Sequence, residues 1–204
     1  MTRIAHETGR AYRSQLREQQ VDETRARILD ATVRAMAGGL AFVSIPAVAR
    51  EAGVSVPTIY RHFATKRDLL AAVYPHYARR AGLDKLVPPR SMDELREGVR
   101  EYFDRTDSID DLARAAMAGP ASEEVRRLNI PARLAMFRRL ADSIEPQLAE
   151  ADRDRIARLL MVLTPSSALR MWRDHLGLSV DEAAEEVDWI VRAAIAAATG
   201  KNRQ

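Results

Sequence analysis

"SIPAVAREAGVSVPTIYRHFATKRDLL", residues 44–70, is the stretch whose reading decides the fold. Ile45, Val48, Ala49 and Ala52 recur at i, i+3, i+4 and i+7, which predicts one amphipathic helix over 45–52. Gly53 stands where a left-handed residue would stop it, and Val54 can plug the core behind the turn. Ser55 is placed to cap a short third helix with Pro57 in its first turn, where a missing N–H costs little. Ile59 and Phe63, four apart, form its buried edge. "TKRD", Thr65 to Asp68, has capping-box spacing and opens a fourth helix carrying Leu69, Leu70 and Val73, with a bend expected near Pro75. Two short helices joined by a tight glycine turn make a helix-turn-helix.

Upstream, a helix is expected over about 22–36, with Ile28, Ala31, Thr32 and Ala35 on one face and Gly38–Gly39 ending it. Ile28, Val48, Val54, Ile59 and Phe63 would then pack together and hold the third helix proud of the surface. Residues 1–20 are polar and weakly patterned and are expected to form a basic, flexible arm in which Arg3, Arg10, Arg13 and Arg17 could add phosphate or minor-groove contacts.

Charge is distributed unevenly over the 204 residues. Residues 1–80 carry 13 Lys or Arg against 7 Asp or Glu, a net of +6, whereas residues 81–204 carry 19 against 22, a net of −3. A basic N-terminal part on an acidic remainder points to a polyanion at one end of the molecule. A helix fits the major groove of B-DNA, and its first residues are those that reach base edges. On the third helix Val56, Pro57, Thr58 and Arg61 are the outward positions expected to meet bases. Tyr60 and His62 would face the groove walls. Lys66 and Ser44, at the starts of the fourth and second helices, would meet phosphate where free backbone N–H groups reinforce binding.

The same residues carry a family resemblance. The "AGVS" turn, the "TIYRHF" helix and the "KRDLL" start of the next helix resemble the DNA-binding head of the TetR family of bacterial transcriptional regulators, over roughly residues 24–74. The resemblance implies an all-α homodimer of about nine helices. Three helices bind a palindromic operator in double-stranded DNA, and a larger helical domain holds a small-molecule effector and dimerises. In this family the residues matching Ser44, Thr58, Tyr60, His62 and Lys66 commonly contact DNA. The Val56-Pro57 pair departs from the polar or glycine pair of many members. The resemblance also implies a repressor that its ligand releases from DNA.

Strand signals are nearly absent, and Ala, Leu, Arg and Glu abound, so the rest of the chain is also expected to be helical. The expected domains are a head over 21–66 and a ligand-binding and dimerisation domain over 67–204. Helices are expected near 92–105, 108–118, 122–129, 131–149, 152–176 and 180–198. "AGPAS" and "NIP" should form breaks, and "SMDE" and "SVDE" further capping boxes. The last two helices carry Ile156, Leu159, Leu160, Leu163, Leu169, Trp172, Val187, Ile190 and Ile195, and a four-helix bundle across a two-fold axis would bury them. An effector pocket would draw on Tyr77, Tyr102, Phe103, Met117, Met136, Phe137, Met161, Trp172 and His175. His76, Asp104 and Asp174 are further polar groups near it, and Pro165 with Ser166 and Ser167 could kink a helix to line a cavity.

Composition narrows the function classes. With no cysteine, the chain has no thiolate metal site, cysteine nucleophile or disulfide, which suits a cytoplasmic setting. No apolar run approaches the ~20 residues of a membrane span, and the start lacks a signal-peptide core. There is no P-loop, GxGxxG, HExxH or GxSxG, and the four histidines are scattered at 6, 62, 76 and 175. No enzyme activity, catalytic residue, metal site or cofactor is therefore expected. The competing reading is an architectural or division-associated DNA-binding protein of the same fold without an inducer. A cavity of a few hundred Å³ would discriminate the two.

Overall fold

The computed structural model describes residues 2–38, 43–109 and 111–200, with backbone alone for residues 2–15. Among these residues the chain is all helical. The α-helices are α1 (Thr2–Ala37), α2 (Ile45–Ala52), α3 (Val56–His62), α4 (Lys66–Arg80), α5 (Met92–Asp107) and α6 (Asp111–Ala118). They continue with α7 (Ser122–Ile144), α8 (Glu150–Leu163), α9 (Ser166–Arg170) and α10 (Val180–Thr199). A 3-10 turn at Leu83–Lys85 follows α4, and a π-helical turn at Met171–His175 follows α9.

The head follows its sequence pattern closely. Ile28, Leu29, Val48, Ile59, Phe63, Leu69 and Leu70 are all buried in one cluster, with Val54 packed against it. Thr32 on the buried face satisfies its hydroxyl by donating to the Ile28 carbonyl at 2.8 Å, which is how a polar group joins a core. The same cluster runs on through Ala113, Ala116 and Met117 of α6 to Val125 of α7, so α6 packs directly on the head's first helix. A second cluster joins Leu95, Val99 and Phe103 of α5 to Phe137, Ala141 and Ile144 of α7, to Ile156 and Leu160 of α8, and to Val187, Val191 and Ile195 of α10. Helix α7 contributes to both.

Four elements differ from the sequence reading. α1 begins at Thr2 rather than near residue 22, so the backbone of the expected arm is continuous with the first head helix. The expected stop at Gly39 lies outside the described residues, as do the side chains of Arg3, Arg10 and Arg13. The "NIP" break does not form: α7 runs through Pro131 because Val125, Asn129, Arg133 and Phe137 keep one buried face, while Pro131 and Arg127, whose carbonyl loses its i+4 donor, face solvent. Ser91 makes no side-chain cap: the Glu94 N–H donates to the Ser91 carbonyl at 3.3 Å, and the Glu94 carboxylate accepts from the Arg90 N–H at 2.8 Å. The expected 152–176 helix is split at Thr164–Pro165 into α8, α9 and the π turn. The boxes at Thr65–Asp68 and Ser179–Glu182 form as expected.

The last two helices spend their stripe inside the chain. Ile156, Leu160, Leu169, Val187 and Ile195 are buried in the second cluster, with Leu159, Leu163 and Trp172 packed against it. A stripe at helical spacing serves an intramolecular core as well as an intermolecular one, which is why sequence periodicity did not separate them. Val162 and Trp189 remain outward, 69% and 66% exposed. No described helix is long and apolar enough to cross a membrane.

Candidate nucleic-acid interface

The turn before α3 is built by one glycine. Gly53 has φ +64, a left-handed conformation that side-chain-bearing residues adopt at a cost. It allows the Val54 N–H to donate back to the Ala49 carbonyl at 3.0 Å and the Gly53 N–H to the Arg50 carbonyl at 3.2 Å, which closes α2 and points the chain into α3. At the start of α3 the Ser55 hydroxyl accepts from the Thr58 N–H at 3.2 Å. At its end Phe63 returns to extended backbone while its N–H still donates to Ile59 at 2.9 Å.

α3 is tied at its far end from α1. The Arg25 guanidinium donates to the His62 carbonyl at 2.9 Å and lies 4.2 Å above the Phe63 ring centroid. α1 is also tied to α2 through Arg34 and Glu51 at 2.6 Å. Both faces of the motif are therefore braced against α1. Arg25 was not singled out from the sequence, because nothing local marks a residue whose partner lies 37 positions away.

The predicted contact residues separate by exposure. Ser44, Pro57, Tyr60 and Arg61 are exposed, Tyr60 at 46%. Thr58 and His62 are half-buried. The Thr58 hydroxyl is 2.9 Å from that of Ser55, so it is oriented by the cap. Val56 is half-buried and packs against the head core, so it is less outward than its position in the sequence suggested. Ser44 makes no side-chain cap bond to α2. Lys66, in the first turn of α4, has its ammonium 3.9 Å from the Glu124 carboxylate of α7. Arg67 beside it is exposed and was not singled out, although the "KR" pair was its signal.

The electrostatics of the α3 end are cationic. Burial, then the charges of Arg61 and Arg25, hold the His62 imidazole below its ordinary pKa. A nearby phosphate would act in the opposite direction.

Two cavities lie beside α4. One of 60 Å³ is walled by Tyr77, Met117, Leu169 and Ser166, with Arg114, Arg173 and Asp174 among its charged lining. Its lining includes Thr106, whose buried hydroxyl has no hydrogen-bond partner among the described residues. The other, of 220 Å³, lies where α1, α4 and the start of α6 meet, and Tyr77 lines it too. Of the nine residues expected at a pocket, Tyr77 and Met117 line these cavities. Phe103 and Phe137 are buried in the second cluster, with Tyr102, Met161 and Trp172 packed on it. Burial, with Tyr74 nearby, pushes the Tyr102 phenol well up. The Trp172 indole donates to the Leu163 carbonyl at 3.3 Å. Met136 and His175 are exposed. Aromatic and methionine side chains mark a core as readily as a pocket, and here most of them fill one. His76, Ser166 and Asp174 do reach cavity walls, but Asp104 is exposed and paired with Arg100 at 2.6 Å. No group of metal-ligating side chains occurs among the described residues.

Comparison with known proteins bears on the same segment. Residues 28–73 match the family model described as "Bacterial regulatory proteins, tetR family". Two uncharacterized HTH-type transcriptional regulators of Mycobacterium tuberculosis, one from strain CDC 1551 and one from strain H37Rv, are each 28% identical over 137 residues. That match covers 65% of this chain and spans 58% of each relative's length. A crystal structure of a tetR-family transcriptional regulator from Streptomyces coelicolor aligns with a TM-score of 0.50 at 20% identity, covering 89% of this chain and 84% of that one, a likeness of fold.

Proposed function

We propose that the chain, whose residues 28–73 match the tetR-family model of bacterial regulatory proteins, is a sequence-specific DNA-binding transcriptional regulator of that family, a homodimeric repressor released from its operator by a small molecule. The observation that carries the reading is α3 itself. It is seven residues long, braced at both ends, buried through Ile59 and exposed through Pro57, Tyr60 and Arg61. A helix so held enters a major groove with its first turn at the base edges. Ser44, Tyr60, His62 and Lys66 position it on phosphates, while Pro57, Thr58, Arg61 and the rim of Val56 read sequence.

Dimerisation is assigned to the outward faces of α8 and α10. Val162 and Trp189 are too large and too exposed to be left in water without consequence. The flanking charges are of opposite sign, Arg155 and Arg158 on α8 against Glu182, Glu185 and Glu186 on α10. A two-fold axis that crosses α8 of one copy with α10 of the other pairs those signs. Two heads so related would meet successive major grooves about 34–36 Å apart.

Release by a ligand, rather than a purely architectural role, is supported by the 220 Å³ cavity between α1 and α4, the helices that brace and carry the head. The test is binding of the full chain to duplexes selected from a random library, over a salt series. A palindromic consensus with a strong specific-to-nonspecific ratio supports a regulator. Equal affinity for all duplexes would assign the head to architectural binding.

A further inference from the structure

We propose that the 220 Å³ cavity at the junction of α1, α4 and α6 binds a small carboxylic acid with a compact apolar body. The proposal rests on the ligand-released reading above and names the site and chemical class of that ligand.

The cavity has an apolar floor and a donor-rich rim. Val33 of α1 and Ala113 of α6 are buried in the floor, and Ile109 and Ala81 close its sides. The polar lining consists of His76, Tyr77, Arg80 and Ser108, every one able to donate a hydrogen bond. Among the described residues no carboxylate lines it. A ligand ammonium would meet the like charge of Arg80. A ligand carboxylate would meet a guanidinium and hydroxyl donors, the pairing that is strongest when partly shielded from water. The volume falls below the ~300–1,000 Å³ usual for ligand sites, which restricts the body to something compact.

The donors are preorganised. Asp30 of α1, outside the cavity lining, uses one oxygen to accept from His76 Nε2 at 2.7 Å and from Arg80 at 2.9 Å. This clamp is part of what ties α4 to α1. A ligand carboxylate that engages Arg80 competes with Asp30 for the same cation and loosens the tie. The consequence reaches DNA through α1, because Arg25, little more than one turn before Asp30, holds the His62 end of α3. Occupancy of the cavity thus acts on the helix that braces the reading helix.

Three probes of one shape separate the chemistry: benzoate, the neutral benzamide and the cationic benzylamine, each titrated into the full chain by calorimetry and thermal shift. Benzoate is expected to bind and raise the midpoint, and the other two to do so far more weakly. Arg80→Gln is expected to weaken benzoate by about tenfold, the loss of one charge-assisted contact. Ala113→Leu, which fills the floor, is expected to abolish binding. Circular dichroism and a retained cooperative thermal transition establish that both variants are folded. No benzoate binding at millimolar concentration, equal binding of benzylamine or benzamide, or wild-type benzoate affinity in both variants would overturn the proposal. DNA affinity is read separately. Benzoate held at the cavity with DNA affinity unchanged upholds the site and overturns ligand release. A different small molecule that frees DNA from the Ala113→Leu protein leaves release standing and overturns the site.

Discussion

The Arg25 guanidinium donates to the backbone carbonyl of His62 at 2.9 Å, across 37 positions of sequence. It places a cation at the C-terminal end of α3, where unpaired carbonyls and the helix dipole favour one. The same group covers the Phe63 ring, so one side chain of α1 fixes both the end of α3 and the residue that turns the chain toward α4.

Arg25→Ala is expected to destabilise the protein by about 1–2 kcal/mol, the size of a partly buried charged hydrogen bond with its ring contact. Urea unfolding measures it. DNA affinity should fall by more than that of a surface Arg→Ala control, because α3 loses its brace.

Gly53→Ala tests the turn. A methyl group there meets no neighbour within 4 Å, so the cost is one of backbone conformation alone, about 1–2 kcal/mol for a side chain in the left-handed region. Thermal unfolding should register that loss while the second core keeps its packing.

Contacts that position should be separable from contacts that specify. Tyr60→Ala and Lys66→Ala are expected to weaken binding to all duplexes, and Lys66→Ala to reduce the salt slope by about one. Thr58→Ala and Arg61→Ala are expected to relax preference at single base pairs, by about 1–3 kcal/mol per pair. Unchanged affinity and preference in all four would sink the α3 assignment.

His62 is expected to make DNA binding depend on pH. Its pKa in the free protein is lowered, first by burial and then by Arg61 and Arg25. Below 6.5 the unfolded chain therefore takes up this proton before the folded one does, so folding stability is full above that value and falls as pH drops through the lowered folded pKa. A phosphate at His62 favours the protonated ring, so DNA affinity should rise as pH falls from 7.5 to 6, and His62→Gln should flatten that rise beyond the general trend. Anisotropy titrations across that range decide it.

Trp189→Glu removes the exposed aromatic of α10 and is expected to shift sedimentation from dimer to monomer at micromolar concentration, with folded helical content retained. Operator affinity should fall with it, because one head reads half a site.

The head was legible because its devices are local. The i, i+3, i+4, i+7 spacing of Ile45, Val48, Ala49 and Ala52, the stop at Gly53 and the caps at Ser55 and Thr65 all act within one or two helical turns, and each takes the form its residues require. The pocket was not legible for the converse reason. Phe103, Phe137 and Met161 are chemically suited to a cavity, but their helices bring them together as core. Thr106, Ser108 and Arg80 line cavities without any pattern that would mark them.

By itself, then, the sequence determined the helical class, the helix-turn-helix and the outward placing of Pro57 and Arg61 on α3, because periodicity and capping are short-range physics. Only the tertiary structure decided that Pro131 lies on a solvent face and leaves α7 whole, that Lys66 stands beside Glu124, and that Asp30 binds His76 and Arg80 together at a cavity. Those relations depend on how whole helices are laid against one another. A packed interior fixes that through the summed shape of many side chains, which no local run of residues encodes.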